Sequence, residues 1–161
     1  MSILTYPLGF LGGGDDEFYN GVMENSLRFN DEDNTYLNRT PGSASNRDTL
    51  TFSCWVKLDG TATYPYLISQ GADSPNATLI NFNAGAFNYE QVDSGTVTDS
   101  VKTTALHRDP SAWYHLVCAI DSSMSKESDR IKLYVNGKHH TNLAATNYPG
   151  LGVDTDFNTT G

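Results

Sequence analysis

The chain has 161 residues, 38% of them hydrophobic, which is enough for one domain with a packed core and too little for two. Its 19 acidic residues outnumber its 10 basic ones, giving a formal net charge of -9. No cluster of lysine or arginine forms a basic stripe, which argues against nucleic-acid binding because nucleic-acid-binding proteins neutralise phosphates with a basic surface. An acidic surface of this kind is typical of a protein that stays soluble at high concentration.

The N-terminal residues 1–14 form a short apolar run that Pro7 and Gly9 interrupt. The run is too short to span a bilayer, and it lacks the positive start of a secretory signal because the first basic residue is Arg28. We therefore expect a protein that is made in a cytosol, without a signal peptide and without membrane insertion. Cys54 and Cys118 lie in apolar, strand-like stretches and are expected to be buried free thiols.

Glycine, aspartate and asparagine recur along the whole chain, with short β-branched or aromatic runs between them and no helical stripe. This pattern predicts an all-β fold, an antiparallel β-sandwich or jelly roll. Residues 1–25 show too little alternation for a strand and are predicted to extend and dock on a neighbouring subunit. In chain order, the predicted strands are residues 26–30, 50–58, 66–69, 79–92 as a hairpin, 97–106, 114–121, and 131–140 as a second hairpin; residues 142–161 are predicted to be an irregular tail.

Two strands and two turns have the clearest signals. Residues 50–58 alternate, so one face is predicted to be buried while the other carries a single large aromatic, Trp55. Residues 114–121 are apolar on both faces, which predicts a central strand of a covered sheet. The pair Asn136-Gly137 predicts a two-residue type I′ turn, and the stretch from Asn83 to Gly85 predicts a similar connection in the first hairpin.

Four segments stand out together: SLRFN at residues 26–30 with an acidic turn behind it, TFSCWVK at 51–57, RDPSAWYHLV at 108–117, and DRIKLYVNG at 129–137. In this order they resemble the laminin G-like domains, of the concanavalin A-like lectin/glucanase class, that occur in structural proteins of tailed bacteriophages. The resemblance implies a sandwich over residues 26–161 preceded by the N-terminal segment 1–25. We expect a structural core of Phe52, Cys54, Trp55, Trp113, His115 and Cys118, in which the two tryptophans pack in the core or at its rim.

The resemblance also implies a function. A member of this family would be a non-enzymatic virion structural protein: a tail fibre, tail-associated or capsid-decorating subunit that forms a homo-oligomer, contacts other virion proteins and adheres to a host surface glycan. Nothing after Asn142 resembles the last strand of the family. We therefore expect either a fragment of a longer polypeptide, or a strand that is supplied by a neighbour or by the N-terminal segment.

Catalysis is tested on residues, because one fold hosts many activities. A retaining glycosidase needs two carboxylates about 5 Å apart, yet Asp31 and Asp33 fall in a turn and Glu90 stands alone in its strand. His115 is expected to be a partly buried histidine whose ring satisfies a backbone group, and His139 and His140 point to opposite faces of a strand. The residues therefore predict no catalytic site and no zinc site, and a glycoside hydrolase is the weaker alternative.

Two kinds of ligand remain as candidates. Calcium is the one inorganic candidate, and its expected ligands are Asp31, Asp33 and Asn34, whose oxygens suit a hard cation although their spacing matches no known loop; no other cofactor is expected. A glycan needs an exposed aromatic beside planar polar groups. If their strands line one face, that mixture comes from Tyr64, Tyr66, Asn81, Asn83, Tyr89 and Gln91, which also supports the alternative of a free-standing carbohydrate-binding module.

Overall fold

The computed structural model describes residues 26–29, 35–59, 64–71 and 75–160. The chain divides into two compact units, Met1–Tyr36 and Leu37–Gly161. All strands of the described chain belong to the second unit. They are β1 (Thr49–Val56), β2 (Tyr66–Gln70), β3 (Ala77–Asn83), β4 (Ala86–Asp93), β5 (Thr96–Leu106), β6 (Tyr114–Asp121), β7 (Ile131–Val135), β8 (Lys138–His139) and β9 (Leu143–Asn147), and a short 3-10 helix, Glu127–Asp129, precedes β7.

The strands form two sheets in which all neighbours are antiparallel. The four-stranded sheet has the order β1-β6-β7-β8, and the five-stranded sheet has the order β2-β3-β4-β5-β9. This architecture confirms the predicted all-β sandwich. No described helix is long and apolar enough to cross a membrane.

Alternation along the central strands of the four-stranded sheet builds one side of the core. In β6 and β7 every second side chain is buried, and these inner side chains include Leu116, Ile120 and Leu133. The five-stranded sheet contributes an inner face that is rich in aromatics. Its buried apolar members are Ile80, Phe82, Phe87, Tyr89 and Val101.

The predicted turns form with left-handed backbone at both central positions. Asn136 and Gly137 have φ values of 51° and 75°, the conformation that a type I′ turn requires. In the first hairpin the turn residues are Ala84 and Gly85, with φ values of 51° and 88°, so the loop has two residues and Asn83 pairs with Ala86. Both predicted hairpins are confirmed.

Two predictions about the ends of the sandwich are corrected. Residues 26–29 are not in a strand, and Leu27 and Phe29 are exposed; Asn30 lies outside the described residues. At the other end, residues 143–147 are not an irregular tail but strand β9, which pairs with β5. Behind β9, Phe157 is only 2% exposed and packs in the core, so the segment after Asn142 helps to close the sandwich.

The segment behind β9 is held by polar contacts to the start of the sandwich. Arg47 Nε donates to the Thr155 carbonyl at 2.8 Å, and the Thr155 backbone N–H and hydroxyl both donate to the Arg47 carbonyl. Gln70 bonds to Asn158 and Thr159. These contacts tie residues that lie about ninety to over a hundred positions apart in sequence, which a local pattern cannot predict.

Candidate functional site

The outer face of the four-stranded sheet carries a cluster of aromatic and imidazole rings. Alternation turns Ser53 and Trp55 of β1 outward, since Leu50, Phe52, Cys54 and Val56 pack against the core. Register places Trp55 opposite His115 of β6, and Tyr134 of β7 opposite His139 of β8. We call Ser53, Trp55, His115, Tyr134 and His139 the aromatic face.

Trp55 and His115 form the first ring pair of the aromatic face. Their centroids are 5.0 Å apart with an angle of 24° between the planes, and Trp55 remains 47% exposed. The His115 ring is fixed from its other end, because Nε2 lies 3.0 Å from the Ser53 hydroxyl oxygen. The indole therefore rests on a ring that is already held in place, and one of its faces is open to a ligand.

Tyr134 and His139 form the second pair. Their centroids are 4.9 Å apart and their planes are inclined by 29°. His139 is exposed and Tyr134 is half-buried. The hydrogen bond from the His115 backbone N–H to Asn136 Oδ1, at 2.8 Å, ties the turn of the β7–β8 hairpin to the strand that carries the first pair.

These positions correct part of the predicted core. Cys118 is buried, and Phe52 and Cys54 are half-buried against the core, but Trp55 and Trp113 are 47% and 51% exposed. The ring of His115 bonds a serine hydroxyl and not the expected backbone group. The alternation of residues 50–58 predicts that Trp55 points outward, and this alternation is the sequence signal for the aromatic face.

The predicted glycan residues divide between two faces of the five-stranded sheet, which corrects the expectation that they share one face. Tyr89 is 0% exposed in the core, and Gln91 points to the same inner side, where its Nε2 donates to Asp156 at 2.7 Å. Asn81 lies on the outer side with Tyr66, its register partner in β2. Tyr89 and Gln91 are therefore out of reach of a sugar that contacts Tyr66.

A polar row crosses the outer side of the five-stranded sheet. Tyr66, Asn81, Asn88 and Lys102 are successive register partners along β2, β3, β4 and β5. Asn88 Nδ2 donates to Asn81 Oδ1 at 2.9 Å, and both asparagines are buried, so they satisfy each other. At the end of the row Tyr66 is 63% exposed, while Tyr64 is exposed and Asn83 half-buried, so these three stay candidates for glycan contact.

Two carboxylates of the five-stranded sheet, Glu90 and Asp99, lie on opposite faces of it. Glu90 lies opposite Leu79 and Ser100 in its two neighbouring strands, and its carboxylate contacts Asn81 at 3.5 Å. Asp99, whose pKa burial raises, belongs to the inner face with Gln91, its register partner. Glu90 and Asp99 therefore do not face each other across one groove.

No group of three or more histidine, cysteine, aspartate or glutamate side chains suited to a metal occurs within the described ranges. The predicted calcium ligands Asp31, Asp33 and Asn34 lie outside the described residues. They stay a prediction.

A cavity of about 280 Å³ opens at the edge of the sandwich where β7 faces β5 and β9. Its apolar lining comes from Val101, Ile131, Leu133 and Leu143, and its polar lining includes His140. The His140 ring lies 5.8 Å from the ring of His107, whose Nε2 is buried and finds no partner in the described part of the chain. Burial, together with the neighbouring His140, lowers the pKa of His107.

The two antiparallel sheets define a β-sandwich, and two ring pairs lie on the outer face of its four-stranded sheet. A family model, laminin G-like and described as concanavalin A-like lectin/glucanases superfamily, matches residues 30–161. The chain therefore belongs to the concanavalin A-like lectin/glucanase superfamily. No curated protein and no solved structure shows a significant match to the chain.

Proposed function

We propose that this domain is a non-catalytic carbohydrate-binding module that holds a glycan on the aromatic face. The observation that carries the proposal is the half-exposed indole of Trp55 stacked on the fixed ring of His115. The C–H groups of a pyranose ring pack well on an aromatic plane, and the surrounding hydroxyl and imidazole groups supply hydrogen bonds to sugar hydroxyls. Membership of a superfamily that includes lectins supports the same function.

A non-enzymatic role is supported by the environment of the acidic residues. Glu90, on the outer side of the five-stranded sheet, accepts a hydrogen bond from the Asn81 side-chain amide. Asp121, at the end of β6 away from His115, accepts hydrogen bonds from the Ser123 backbone N–H and hydroxyl. Neither acid has the partner that glycosidic bond cleavage needs.

The test is a glycan-array screen followed by calorimetry on the sugar that binds. We expect Trp55→Ala to weaken binding by at least about tenfold, which corresponds to about 1.4 kcal/mol, while Trp55→Phe keeps part of the affinity. Tyr66→Ala is the matched control, since Tyr66 is an exposed aromatic on the other sheet. Loss of binding in Tyr66→Ala alone would move the site to the polar row of the five-stranded sheet. Hydrolysis of the bound glycan would overturn the non-catalytic assignment.

We further propose that the module serves as a structural or adhesion subunit of a tailed-bacteriophage virion, forms a homo-oligomer and contacts other virion proteins. Its support is the resemblance of the four segments, three of which overlap strands β1, β6 and β7. The predicted docking segment, residues 1–25, lies outside the described residues. Mass spectrometry of purified particles tests the location, and deletion of residues 1–25 tests the segment. Absence of the protein from the particles would contradict the proposed location. Unchanged assembly after the deletion would contradict the proposed docking role of residues 1–25.

A further inference from the structure

Strand β1 is an edge strand whose outer backbone edge has no partner among the described residues. Its one neighbour in the sheet is β6, with an uninterrupted register from Thr49 opposite Asp121 to Val56 opposite Tyr114. The inner side chains of β1 are half-buried, whereas those of β6 beside them are buried. The core is therefore less completely covered along this edge than one strand further in.

The hydrogen bonds of His115 determine which groups of β1 face the open edge. The His115 carbonyl accepts from the Asn136 N–H and its N–H donates to Asn136 Oδ1, so both groups point towards β7. Trp55, directly opposite, therefore turns its own N–H and C=O away from β6. By the two-residue period, Ser53 and Thr51 do the same.

This edge lacks the features that normally prevent strands from associating. Natural edge strands are short, charged, bulged or interrupted by proline. β8 has two residues and includes Lys138, and the pairing of β2 has an irregular register. β1 has eight residues, TLTFSCWV, with no charge, no proline and a regular register.

We propose that β1 is a strand-pairing site for a second copy of this chain, with the two β1 strands antiparallel about a two-fold axis at Ser53. In that register Ser53 faces Ser53 of the second copy, and Thr51 faces Trp55. The N–H and C=O groups of Thr51, Ser53 and Trp55 then find partners in the other copy, so the edge is complementary to itself. The lack of charge on β1 matters because each chain carries a net charge of -9, so two copies repel each other overall and associate most easily through an uncharged edge.

Side chains fit the same register. Residues directly opposite each other in an antiparallel pair lie on the same side of the sheet. Phe52 therefore lies beside Cys54 of the second copy on the inner side, where both are half-buried in a single chain. On the outer side Trp55 lies beside Thr51, so the two aromatic faces continue across one joined sheet.

The test is light scattering and sedimentation of the full chain from low micromolar to submillimolar concentration. We expect the mass to rise from that of one 17.6 kDa chain to twice that value. Ser53→Lys places two ammonium groups against each other at the axis and is expected to give monomers, because like charges directly opposite are destabilising. Ser53→Ala is the matched control, since it keeps the backbone edge uncharged, and it is expected to dimerise.

A cross-link supplies a second readout that does not depend on a loss of association. Opposed residues that exchange both backbone hydrogen bonds have Cα atoms about 5.5 Å apart, within the disulfide range of about 4.4–6.8 Å. Ser53→Cys is thus expected to form a covalent dimer under oxidation, and Thr98→Cys, exposed on β5, is expected not to. A chain that remains monomeric at all concentrations, or a dimer that survives Ser53→Lys and fails to cross-link through position 53, would overturn the proposal. A monomer that binds an extended peptide along β1 would assign the edge to a foreign strand and would equally refute self-pairing.

Discussion

Replacing Phe157 by alanine tests whether the segment behind β9 is a structural part of the sandwich. Phe157 is 2% exposed and packs with the residues of both sheets that form the core. Truncation of a buried phenylalanine removes its transfer free energy and leaves a cavity, which together cost about 3–5 kcal/mol. Since domains of this size are stable by about 5–15 kcal/mol in total, this one change is expected to remove a large share of the stability.

The assay is urea unfolding followed by circular dichroism. With a dependence on urea of about 2 kcal/mol per molar, the midpoint of Phe157→Ala is expected to fall by about 1.5–2.5 M. Leu151→Ala is the matched control, because Leu151 lies in the same segment and is 64% exposed. Its midpoint is expected to change little. A loss below about 1 kcal/mol for Phe157→Ala would show that the segment is not packed in solution.

Three further predictions concern a turn, the thiols and pH. Gly137→Val is expected to destabilise the domain by about 1–3 kcal/mol, because Gly137 has a φ of 75° that a β-branched residue avoids; thermal unfolding measures this, and an unchanged midpoint would contradict the turn geometry. Burial raises the pKa of Cys54 to about 11 and raises that of Cys118 as well, so both thiols are expected to react slowly with a thiol reagent at pH 8 and quickly in urea; fast labelling of the native protein would refute this. The pKa of His107 is lowered below 6.5 by burial first and by His140 second, so the unfolded chain binds the proton more readily. The contribution of neutral His107 to the free energy of unfolding is therefore complete above pH 6.5, and it is lost as the pH falls towards the lowered pKa of the folded protein. Urea midpoints at pH 7.5 and 5.5 measure this loss. If the two midpoints differ by the same amount in His107→Gln and in the unchanged protein, His107 is not the cause.

The strands that could be predicted from sequence are those whose signals are local. Residues 50–58 and 114–121 alternate or run apolar over a full strand length, and Asn136-Gly137 fixes the register of its hairpin through the turn type alone. Strand β9 could not be predicted in this way. Its sequence, LAATN, has little apolar alternation, and it is a strand because β5 offers it an edge. A five-residue sequence does not predict that it pairs with a distant segment of the chain.

The candidate site was predicted less well, because the face that a side chain takes depends on the exact register across the hairpin. The two-residue turn at Ala84 and Gly85 pairs Asn81 with Asn88, so Asn81 and Tyr89 lie on opposite faces of the sheet. A shift of one residue moves every side chain of a strand to the opposite face. The grouping of Tyr89 and Gln91 with Tyr66 was wrong for this reason, although each strand was in the right place.

Strand β1 shows why the assembly and binding proposals can be separated although they share a residue. The side chain of Trp55 stacks on His115 and faces outward, while its backbone groups face the open edge. Trp55→Ala therefore removes the ring from the aromatic face and leaves the N–H and C=O that would join a second copy, so it is expected to weaken glycan binding by at least about tenfold in a chain that still dimerises. Conversely, Ser53→Lys keeps the indole, removes the hydroxyl that holds the His115 ring, and gives a monomer with one aromatic face where a dimer presents two. If both proposals hold, that variant loses far more affinity for a surface coated with glycan than for the free sugar, because the second contact of a dimer is intramolecular.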